Sequence, residues 1–595
     1  MTYSTRVMTV VITIALAFGG AEAAVHRTNT VEGLVHLLKT FTTSSEIVEL
    51  ETGDYDLTGI QMEEAGSKYG ESHLVISGVQ LRGKGERPED VRLIGDGSCR
   101  VLRMIPETFA RVQNLTITNG YAKTISGASD SKHGGGIYGY PTVTNCVIIG
   151  CKADGNGGGT YGYTYIRNCQ ILNNSASQGG GAYQPNEVLN SEVCGNNSSS
   201  HGGGIYGNGS GRVDGSTISR NTAGGAGGGI CAVNTVTNSI VSLNSAQSGG
   251  GALYSWGRST KFAYYCTICS NKTTTGGTSQ EYTIIGGTNF ANYAQNGGGA
   301  RKCNLRGVRI HDNYATANGG GVDECTVEDC ILSNNFAGSN GPNASNSTLF
   351  GCEITGTTCF QSIFDGCSFH DIGQSASITG NCYIDTSFTP PYVLNGYVEC
   401  TNCLFYGNHS SKSDGSLFAG NSGGSRKSHL VNCTIVSNSY AYVFKYFKTD
   451  AVRMSVINSV FWGNTLNNGI TDCDISWDGL TTAEGIFFSH CAYGISNVSG
   501  LESYTDGTVY KFGVNGFSSN PKFVGNADAE NPFAIKRTSP LRNAGQVFDW
   551  MSGSTDIRGE GFMRLRDGKV DIGELLQIVE NRGRSTSVFC NRSGS

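Results

Sequence analysis

The sequence predicts an all-β chain folded as a parallel β-helix, in which short strands stack turn upon turn along one axis. A triple glycine occurs eight times at intervals of 22 to 25 residues, except for one interval of 48. Within that longer interval, Gly276-Gly277 is a degenerate copy of the triplet. Between the triplets, apolar segments of three to five residues alternate with Gly, Asn and Ser. A fixed period in this range indicates a solenoid, and strands this short are typical of β-helix turns. The triplets begin at Gly134, Gly157, Gly179, Gly202, Gly227, Gly249, Gly297 and Gly319.

The two residues after each triplet support this fold, because side chains of a strand alternate between its two faces. The first position is small or β-branched in every repeat and is predicted to face inward: Ile137, Thr160, Ala182, Ile205, Ile230, Ala252, Ala300 and Val322. The second position is mixed and is predicted to face outward: Tyr138, Tyr161, Tyr183, Tyr206, Cys231, Leu253, Arg301 and Asp323. Asn after many of the other strands tolerates the left-handed conformation and predicts a hydrogen-bonded ladder between turns.

Composition and the first residues predict an exported protein. Glycine supplies 86 of 595 residues, which is about twice the usual ~7%. Arg6, an apolar run over residues 8–18 and the sequence Ala21-Glu22-Ala23 predict a signal peptide over 1–23. No other stretch is long and apolar enough to cross a bilayer, so no transmembrane segment is predicted in the mature chain. The net charge of −6 argues against a nucleic-acid partner.

The twenty-one cysteines follow the repeat. Many occupy one repeat position: Cys146, Cys169, Cys266, Cys330, Cys352, Cys367, Cys403 and Cys433. An interior ladder of small buried side chains is the favoured interpretation, while disulfides between neighbouring turns stay open. The spacings Cys266–Cys269 and Cys400–Cys403 are those of zinc ligands, but strand alternation already explains them. No metal or other cofactor is predicted.

After the signal peptide, the mature chain is predicted to divide into five segments. Over 24–125, Thr30 is predicted to cap a short helix with Val31, Leu34, Val35 and Leu38 on one face, followed by the first β-helix turns. Glycine-triplet turns fill 126–345, and degenerate turns fill 346–525. A closing element over 526–573 and a tail over 574–595 complete the chain. About twenty turns are expected.

Three resemblances extend this interpretation. The opening segment from Glu46 to Leu57 resembles that of secreted, right-handed, pectate-lyase-like β-helix proteins. The triplet followed by Ile or Ala, alternating with a Phe-or-Ile-x-x-Asn element, resembles the repeats of polymorphic outer-membrane protein adhesins, although the β-barrel that ends those proteins has no counterpart here. The segments 539–545, 556–559 and 570–573 resemble the closing element of large secreted bacterial β-helix proteins. These resemblances imply a right-handed coil and a secreted or outer-membrane-associated location.

Two kinds of functional site are compatible with the sequence. Adjacent turns could supply two opposed carboxyl groups for glycoside hydrolysis, and the candidates are His311, Asp312, Asp323 and Glu324. The polygalacturonase elements Asn-Thr-Asp, Gly-His-Gly and Arg-Ile-Lys are missing. The second kind is a binding surface formed by an outward aromatic stripe of Tyr138, Tyr161, Tyr183 and Tyr206, with Tyr140 and Tyr163 beside it.

The sequence therefore favours an exported surface or secreted adhesin or glycan-binding scaffold without catalysis. Its partner is expected to be a polysaccharide or a host or cell-surface ligand. The alternative is a polysaccharide lyase or glycoside hydrolase that acts on the outer face of the β-helix.

Overall fold

The computed structural model of the protein describes residues 23–573 other than 45, 64–66, 106–109, 257–260, 356–358, 361, 366, 371–391, 396–398, 409–415, 420–427, 441, 446–453, 467–485, 495–509, 512–520, 524–532, 553–564 and 566. Residues 1–22 of the predicted signal peptide and the tail 574–595 lie outside this part. The described residues form the predicted parallel β-helix, in which each strand pairs in parallel with the equivalent strand of the next turn.

One turn shows the plan of the coil. Val322–Asp323 belongs to sheet 1, Thr326–Glu328 to sheet 2, Ile331–Ser333 to sheet 3 and Phe336–Ala337 to sheet 4. The segment with glycines then returns the chain to sheet 1 of the next turn. Within the described residues, sheet 1 holds sixteen strands and sheets 2 and 3 hold nineteen each, against the roughly twenty turns expected from the sequence.

The strands of sheet 1 are Ser72–Ile76, Arg100–Met104, Ile137–Tyr138, Thr160–Tyr161, Ala182–Tyr183, Ile205–Tyr206, Ile230–Cys231, Leu253–Tyr254, Ser279–Gln280, Ala300–Arg301, Val322–Asp323, Ala344–Ser345, Cys359–Phe360, Tyr392–Asn395, Ser416–Ala419 and Tyr442–Lys445. Those of sheet 2 are Ala24–Thr28, Glu46–Leu50, Gln80–Gly83, Arg111–Gln113, Thr142–Thr144, Tyr165–Arg167, Glu187–Leu189, Arg212–Asp214, Thr235–Thr237, Phe262–Tyr264, Thr283–Ile285, Asn304–Arg306, Thr326–Glu328, Thr348–Phe350, Ile363–Asp365, Glu399–Thr401, Ser428–Val431, Met454–Ile457 and Ile486–Ser489.

The strands of sheet 3 are Gly53–Asp56, Val91–Ile94, Thr116–Thr118, Val147–Ile149, Gln170–Leu172, Glu192–Cys194, Thr217–Ser219, Ile240–Ser242, Thr267–Cys269, Thr288–Phe290, Arg309–His311, Ile331–Ser333, Glu353–Thr355, Ser368–His370, Leu404–Tyr406, Thr434–Val436, Val460–Trp462, Ala492–Tyr493 and Tyr510–Lys511. Those of sheet 4 are Tyr121–Ala122, Lys152–Ala153, Ser175–Ala176, Asn197–Ser198, Thr222–Ala223, Ser245–Ser248, Lys272–Thr275, Tyr293–Ala294, Tyr314–Ala315 and Phe336–Ala337. Ser439–Tyr440 pairs separately with Thr465–Leu466, and single 3₁₀ turns cover Pro88–Asp90 and Asp549–Met551.

The predicted capping helix spans Val31–Thr40. The Thr30 side chain accepts a hydrogen bond from the Gly33 N–H, and Leu34 and Leu38 are buried against the core. An open β-helix end would expose unpaired backbone and apolar side chains. The helix covers that end, as the sequence predicted.

Many strand-to-strand corners combine one residue in the left-handed conformation with one buried residue whose side chain accepts a backbone N–H from the previous turn. In the turn above, Glu324, Asp329 and Asn334 have φ of 54°, 51° and 52°. The buried residues that follow them are Cys325, Cys330 and Asn335. The predicted Asn ladder is present. Where two Asn residues are adjacent, as at Asn334 and Asn335, the first adopts the left-handed conformation and the second forms the ladder.

The cysteine columns act as hydrogen-bonding positions. The backbone N–H of Cys146 donates to Cys169 Sγ at 3.4 Å, and the Cys169 N–H donates to Ser191 Oγ at 3.0 Å. The same column continues with Ser216, whose Oγ accepts from the Ser191 N–H at 3.1 Å. Cys and Ser therefore replace each other at this position, because either side chain can accept the corner N–H of the previous turn. All eighteen described cysteines are free of disulfides, and sixteen of them are buried.

The register after Gly249–Gly251 differs from the prediction by one residue. Leu253 pairs with Ile230 and Tyr254 pairs with Cys231, so Leu253 is the inward residue and Tyr254 takes the second position. Ala252 and Leu253 are both fully buried. In the other repeats, the first glycine of the triplet lies against the backbone or Cβ of the residue at the second position. Here the second glycine does so, since a Cβ on Gly250 would lie 2.4 Å from Tyr254 Cβ. Counting from the start of the triplet is therefore off by one residue.

The C-terminal segment packs along the side of the coil. Ile535, Leu541 and Ile572 form a separate apolar cluster with Val460 and Ala492 of sheet 3. The inward neighbour Phe461 belongs instead to the main core. The segment therefore covers the outer side of the last turns of sheet 3.

Candidate functional site

The predicted tyrosines form one stacked column on the outer side of sheet 1. The ring centroids of Tyr138 and Tyr161 are 5.1 Å apart, those of Tyr161 and Tyr183 are 5.2 Å apart, and those of Tyr183 and Tyr206 are 5.1 Å apart. The interplanar angles along the column are 15°, 3° and 2°. The faces of the rings are therefore covered by the neighbouring rings, and mainly ring edges and phenol groups remain accessible to solvent.

The column is much less exposed than the sequence predicted. Tyr138 and Tyr206 are each only 8% exposed, while Tyr161 and Tyr183 are half-buried. A Cβ on Gly157 would lie 2.8 Å from Tyr161 Cβ, and the same holds for Gly202 and Tyr206. The tyrosines thus rest against the glycine corner, so the stripe serves as a structural ladder as well as a surface.

Two long loops cover the first end of the column. The Arg100 guanidinium donates to the carbonyls of Tyr69, Asp130 and Ser131 at 2.7 to 2.9 Å and lies over the Tyr138 ring at 4.8 Å. Because these carbonyls come from the segments before Ser72 and before Gly134, Arg100 clamps both loops onto sheet 1. The two loops therefore border the outer surface of sheet 1 at this end of the column.

Trp256 covers the other end of the column. Its ring lies 5.3 Å from Tyr254, 6.1 Å from Tyr206 and 5.2 Å from His201. Sequence reasoning missed both Tyr254 and Trp256. The shifted register concealed Tyr254, and Trp256 occupies a longer connection to sheet 2 that does not repeat.

Exposed aromatic rings stand beside the column, at the corner between sheets 1 and 2. Tyr140 is 45% exposed, Tyr163 44% and Trp256 49%. The rings of Tyr140 and Tyr163 are 5.4 Å apart and tilted by 47°, so they do not cover each other fully. These side chains offer the free ring area that the stacked column lacks. We call the column from Tyr138 to Tyr206, together with these three rings, the tyrosine face.

Burial keeps Tyr161 and Tyr206 of the tyrosine face, and His133 beside them, uncharged at neutral pH. Burial raises the pKa of Tyr161 and of Tyr206 to about 12. Burial, reinforced by Lys132, lowers the pKa of His133 to about 4. The His133 ring stacks on Tyr161 at 4.6 Å, and its Nδ1 accepts the Asn156 N–H at 2.9 Å.

The predicted acidic candidates are not brought together. Asp312 follows Arg309–His311 at the corner between sheets 3 and 4, whereas Asp323 ends a strand of sheet 1. Half a turn of the coil and its core separate them. Asp312 and Asp323 therefore do not form the opposed pair that glycoside hydrolysis requires.

Each acidic candidate has a local structural partner. Arg301 Nε lies 3.2 Å from Asp323 Oδ2, and Arg301 Nη2 donates to Glu324 at 2.6 Å. Asp323 is 3% exposed, and burial raises its pKa while Arg301 acts in the opposite direction. His311 Nδ1 lies 2.7 Å from Asp312 Oδ2. Asp312 and Glu324 both hold left-handed corner positions, where Asp is among the residues that tolerate this conformation.

The described residues contain no cluster of three or more His, Cys, Asp or Glu side chains placed to hold a metal ion. Within the same residues, no helix has the length and apolar character needed to span a membrane.

No protein-family model matches the sequence, and no curated protein is significantly similar to it. Among solved structures, the chain is similar to pectate lyase Pel9A, with 11% identity over 91% of this chain and 90% of that one and a TM-score of 0.24. It is also similar to the PL6-family alginate lyase AlyGC, with 10% identity, coverages of 79% and 85% and a TM-score of 0.27. A third is the catalytic domain of a GH87 α-1,3-glucanase in complex with tetrasaccharides, with 10% identity, coverages of 78% and 69% and a TM-score of 0.19.

Proposed function

We propose that this protein is an exported, non-catalytic glycan-binding scaffold or adhesin whose working surface is the tyrosine face. The observation that carries the proposal is the group of exposed rings of Tyr140, Tyr163 and Trp256 beside a rigid stacked column. Aromatic rings with an apolar face and a polar tip suit sugar rings, which also combine apolar and hydroxyl surfaces.

The rigidity of the column supports a binding role. The rings of Tyr161 and Tyr183 are held on both faces, and the phenol of Tyr138 lies 3.3 Å from Asp130 Oδ2. Side chains that are already ordered lose little conformational entropy when a ligand binds. A ligand that crosses several turns would therefore meet a preformed surface.

The test is a glycan array probed with the mature protein and its Tyr163→Ala and Trp256→Ala variants. Because Tyr163 and Trp256 are exposed, their removal should weaken binding about tenfold while the fold is kept. Tyr161 and Tyr183 are poorer test positions, since their truncation would also break the stack. Tyr265→Ala is the matched control, because Tyr265 is 67% exposed but lies at the corner between sheets 2 and 3.

A product-release assay for reducing ends and unsaturated ends, run on the same polysaccharides, tests the catalytic alternative. Binding without product, lost in Tyr163→Ala and kept in Tyr265→Ala, would support the scaffold. Product release that Asp323→Asn abolishes would overturn it.

A further inference from the structure

A row of polar side chains borders the tyrosine column at the corner between sheets 4 and 1. Tyr140, Tyr163 and Trp256 lie on the opposite side of the column, at the corner between sheets 1 and 2. Asn156 and Gln178 of the row form a parallel bridge, so successive members lie one turn, or about 4.8 Å, apart. We use the name polar row for the residues directly before the first four glycine triplets: His133, Asn156, Gln178 and His201.

The two imidazoles of the polar row carry their hydrogen on Nε2. The Asn156 N–H donates to His133 Nδ1 at 2.9 Å, and the Ala226 N–H donates to His201 Nδ1 at 3.0 Å. A ring nitrogen that accepts a hydrogen bond has no hydrogen of its own, so the neutral ring holds its hydrogen on the other nitrogen. Burial lowers the pKa of His201, which keeps this ring neutral at neutral pH.

Three groups of the polar row have no hydrogen-bond partner within the described part of the chain. They are the Nε2–H of His133, the Nε2–H of His201 and the side-chain amide of Gln178, and none of them is buried. Asn156 differs, because its side chain interacts with the Tyr183 phenol. An imidazole Nε2–H donates one hydrogen bond, and a primary amide both donates and accepts. The row therefore presents unused donors and an unused acceptor beside the aromatic rings.

The backbone of the next turn leaves space for each imidazole. A Cβ on Gly155 would lie 2.5 Å from His133 Nδ1, and a Cβ on Gly225 would lie 2.8 Å from His201 Nδ1. Neither glycine has a positive φ, so close approach accounts for them rather than backbone conformation. Two residues before the other six triplets, the chain has Lys132, Ser177, Ser200, Gln247, Gln295 and Ala317. Glycine thus occurs at this position only in the turns that follow a histidine.

His201 connects the polar row to the exposed rings. One turn after His133, the Tyr161 ring stacks on the imidazole at 4.6 Å. The equivalent residue one turn after His201 is Cys231, which has no ring. Trp256 lies there instead, with its ring 5.2 Å from the His201 ring and at 90° to it. The polar row and the exposed rings therefore meet at Trp256.

Resting on the proposed glycan-binding function, we propose that His201 and Gln178 bind the hydroxyl groups of a sugar whose ring packs on Trp256. The Nε2–H of His201 donates to one hydroxyl oxygen, and the Gln178 amide, one turn away, exchanges hydrogen bonds with hydroxyl groups further along the glycan. The indole supplies the apolar contact. Because His201 Nδ1 is already fixed by the Ala226 N–H, little conformational entropy is lost when the imidazole binds a ligand.

The test measures Kd by isothermal titration calorimetry on the mature protein, with laminarin, xyloglucan, polygalacturonate and alginate as probes. His201→Asn is the main variant, because the asparagine side-chain oxygen replaces Nδ1 as the acceptor of the Ala226 N–H but leaves no donor at the position of Nε2. It should keep the urea midpoint of unfolding and weaken binding about three- to tenfold. Gln178→Ala should weaken binding by a similar factor.

His201→Gln makes the reverse change. Its amide NH2 replaces the Nε2–H, while the acceptor of the Ala226 N–H is lost. This variant should lower the urea midpoint and keep the Kd within about threefold of that of the unmodified protein. His36→Asn is the control, because His36 is exposed on the capping helix, and it should change neither quantity.

The outcomes separate this inference from the proposed function. If Tyr163→Ala and Trp256→Ala weaken binding while His201→Asn and Gln178→Ala leave it unchanged, the polar-row inference is overturned and the glycan-binding function stands. Equal losses of binding in His201→Asn and His201→Gln, with a lower urea midpoint in both, would assign His201 to the fold alone and would also overturn the inference. If no polymer binds, or if the Tyr163 and Trp256 variants bind unchanged, the glycan-binding function is overturned and the inference with it.

Discussion

Replacement of Asn221 by Leu should destabilise the middle of the coil strongly. The Asn221 side-chain oxygen accepts from the Asn196 N–H at 2.9 Å and from Asn196 Nδ2 at 3.0 Å. Its own Nδ2 donates to the Val193 carbonyl at 2.9 Å and to Asn244 Oδ1 at 3.0 Å. All these groups belong to one buried ladder, so no water replaces a lost partner.

The magnitude follows from these four bonds. An orphaned buried N–H at Asn196 costs about 1–3 kcal/mol, and each of the other three bonds contributes roughly 0.5–1.5 kcal/mol. Asn221→Leu should therefore lower the free energy of unfolding by about 3–7 kcal/mol. In a solenoid the loss is concentrated in the turn that is changed and its neighbours.

Hydrogen–deuterium exchange resolved by peptide is the suitable assay, together with the urea midpoint of unfolding. The peptide that contains Asn196 should exchange much faster in Asn221→Leu, while peptides of the capping helix should not. Asn190→Gly is the control, because Asn190 is an exposed left-handed corner residue with φ of 47°. Unchanged exchange at Asn196 in the Leu variant would refute the view that the ladder stabilises the coil.

Two further predictions concern the corner thiols and the His133 loop. Cys169→Ser should change the urea midpoint little, because a hydroxyl can still accept the Cys146 N–H. Cys169→Ala should lower the free energy of unfolding by about 1–3 kcal/mol. Equal effects of the two changes would contradict the hydrogen-bonding role. Burial lowers the pKa of His133 to about 4, below its ordinary value of 6.5, so the unfolded chain binds a proton more readily. Stability should therefore be full above about pH 6.5 and fall as the pH is lowered toward 4, as measured by urea midpoints across this range; a pH response that persists unchanged in His133→Phe would assign it to other groups.

Several features of the candidate site depend on parts of the chain that are far apart in sequence. Tyr138 is covered by two long loops whose backbone carbonyls accept hydrogen bonds from Arg100, and neither loop belongs to the repeat. Asp312 and Asp323 are separated because a strand, a corner and the core lie between them, which a count of residues does not reveal. The exposure of Tyr163 and the position of Trp256 likewise depend on how long each connection to sheet 2 is.

The sequence by itself determined the parallel β-helix, the inward positions after seven of the eight glycine triplets, the N-terminal capping helix and the Asn ladder. Apart from the capping helix, these features follow from local requirements that recur from turn to turn: strand alternation, left-handed corners and a buried side chain that must find a hydrogen-bond partner. Only the tertiary structure decided which tyrosines are covered, that Tyr254 takes the second position of its sheet 1 strand, and how the C-terminal segment packs on sheet 3. Those outcomes follow from packing between distant segments, and no period in the sequence encodes them.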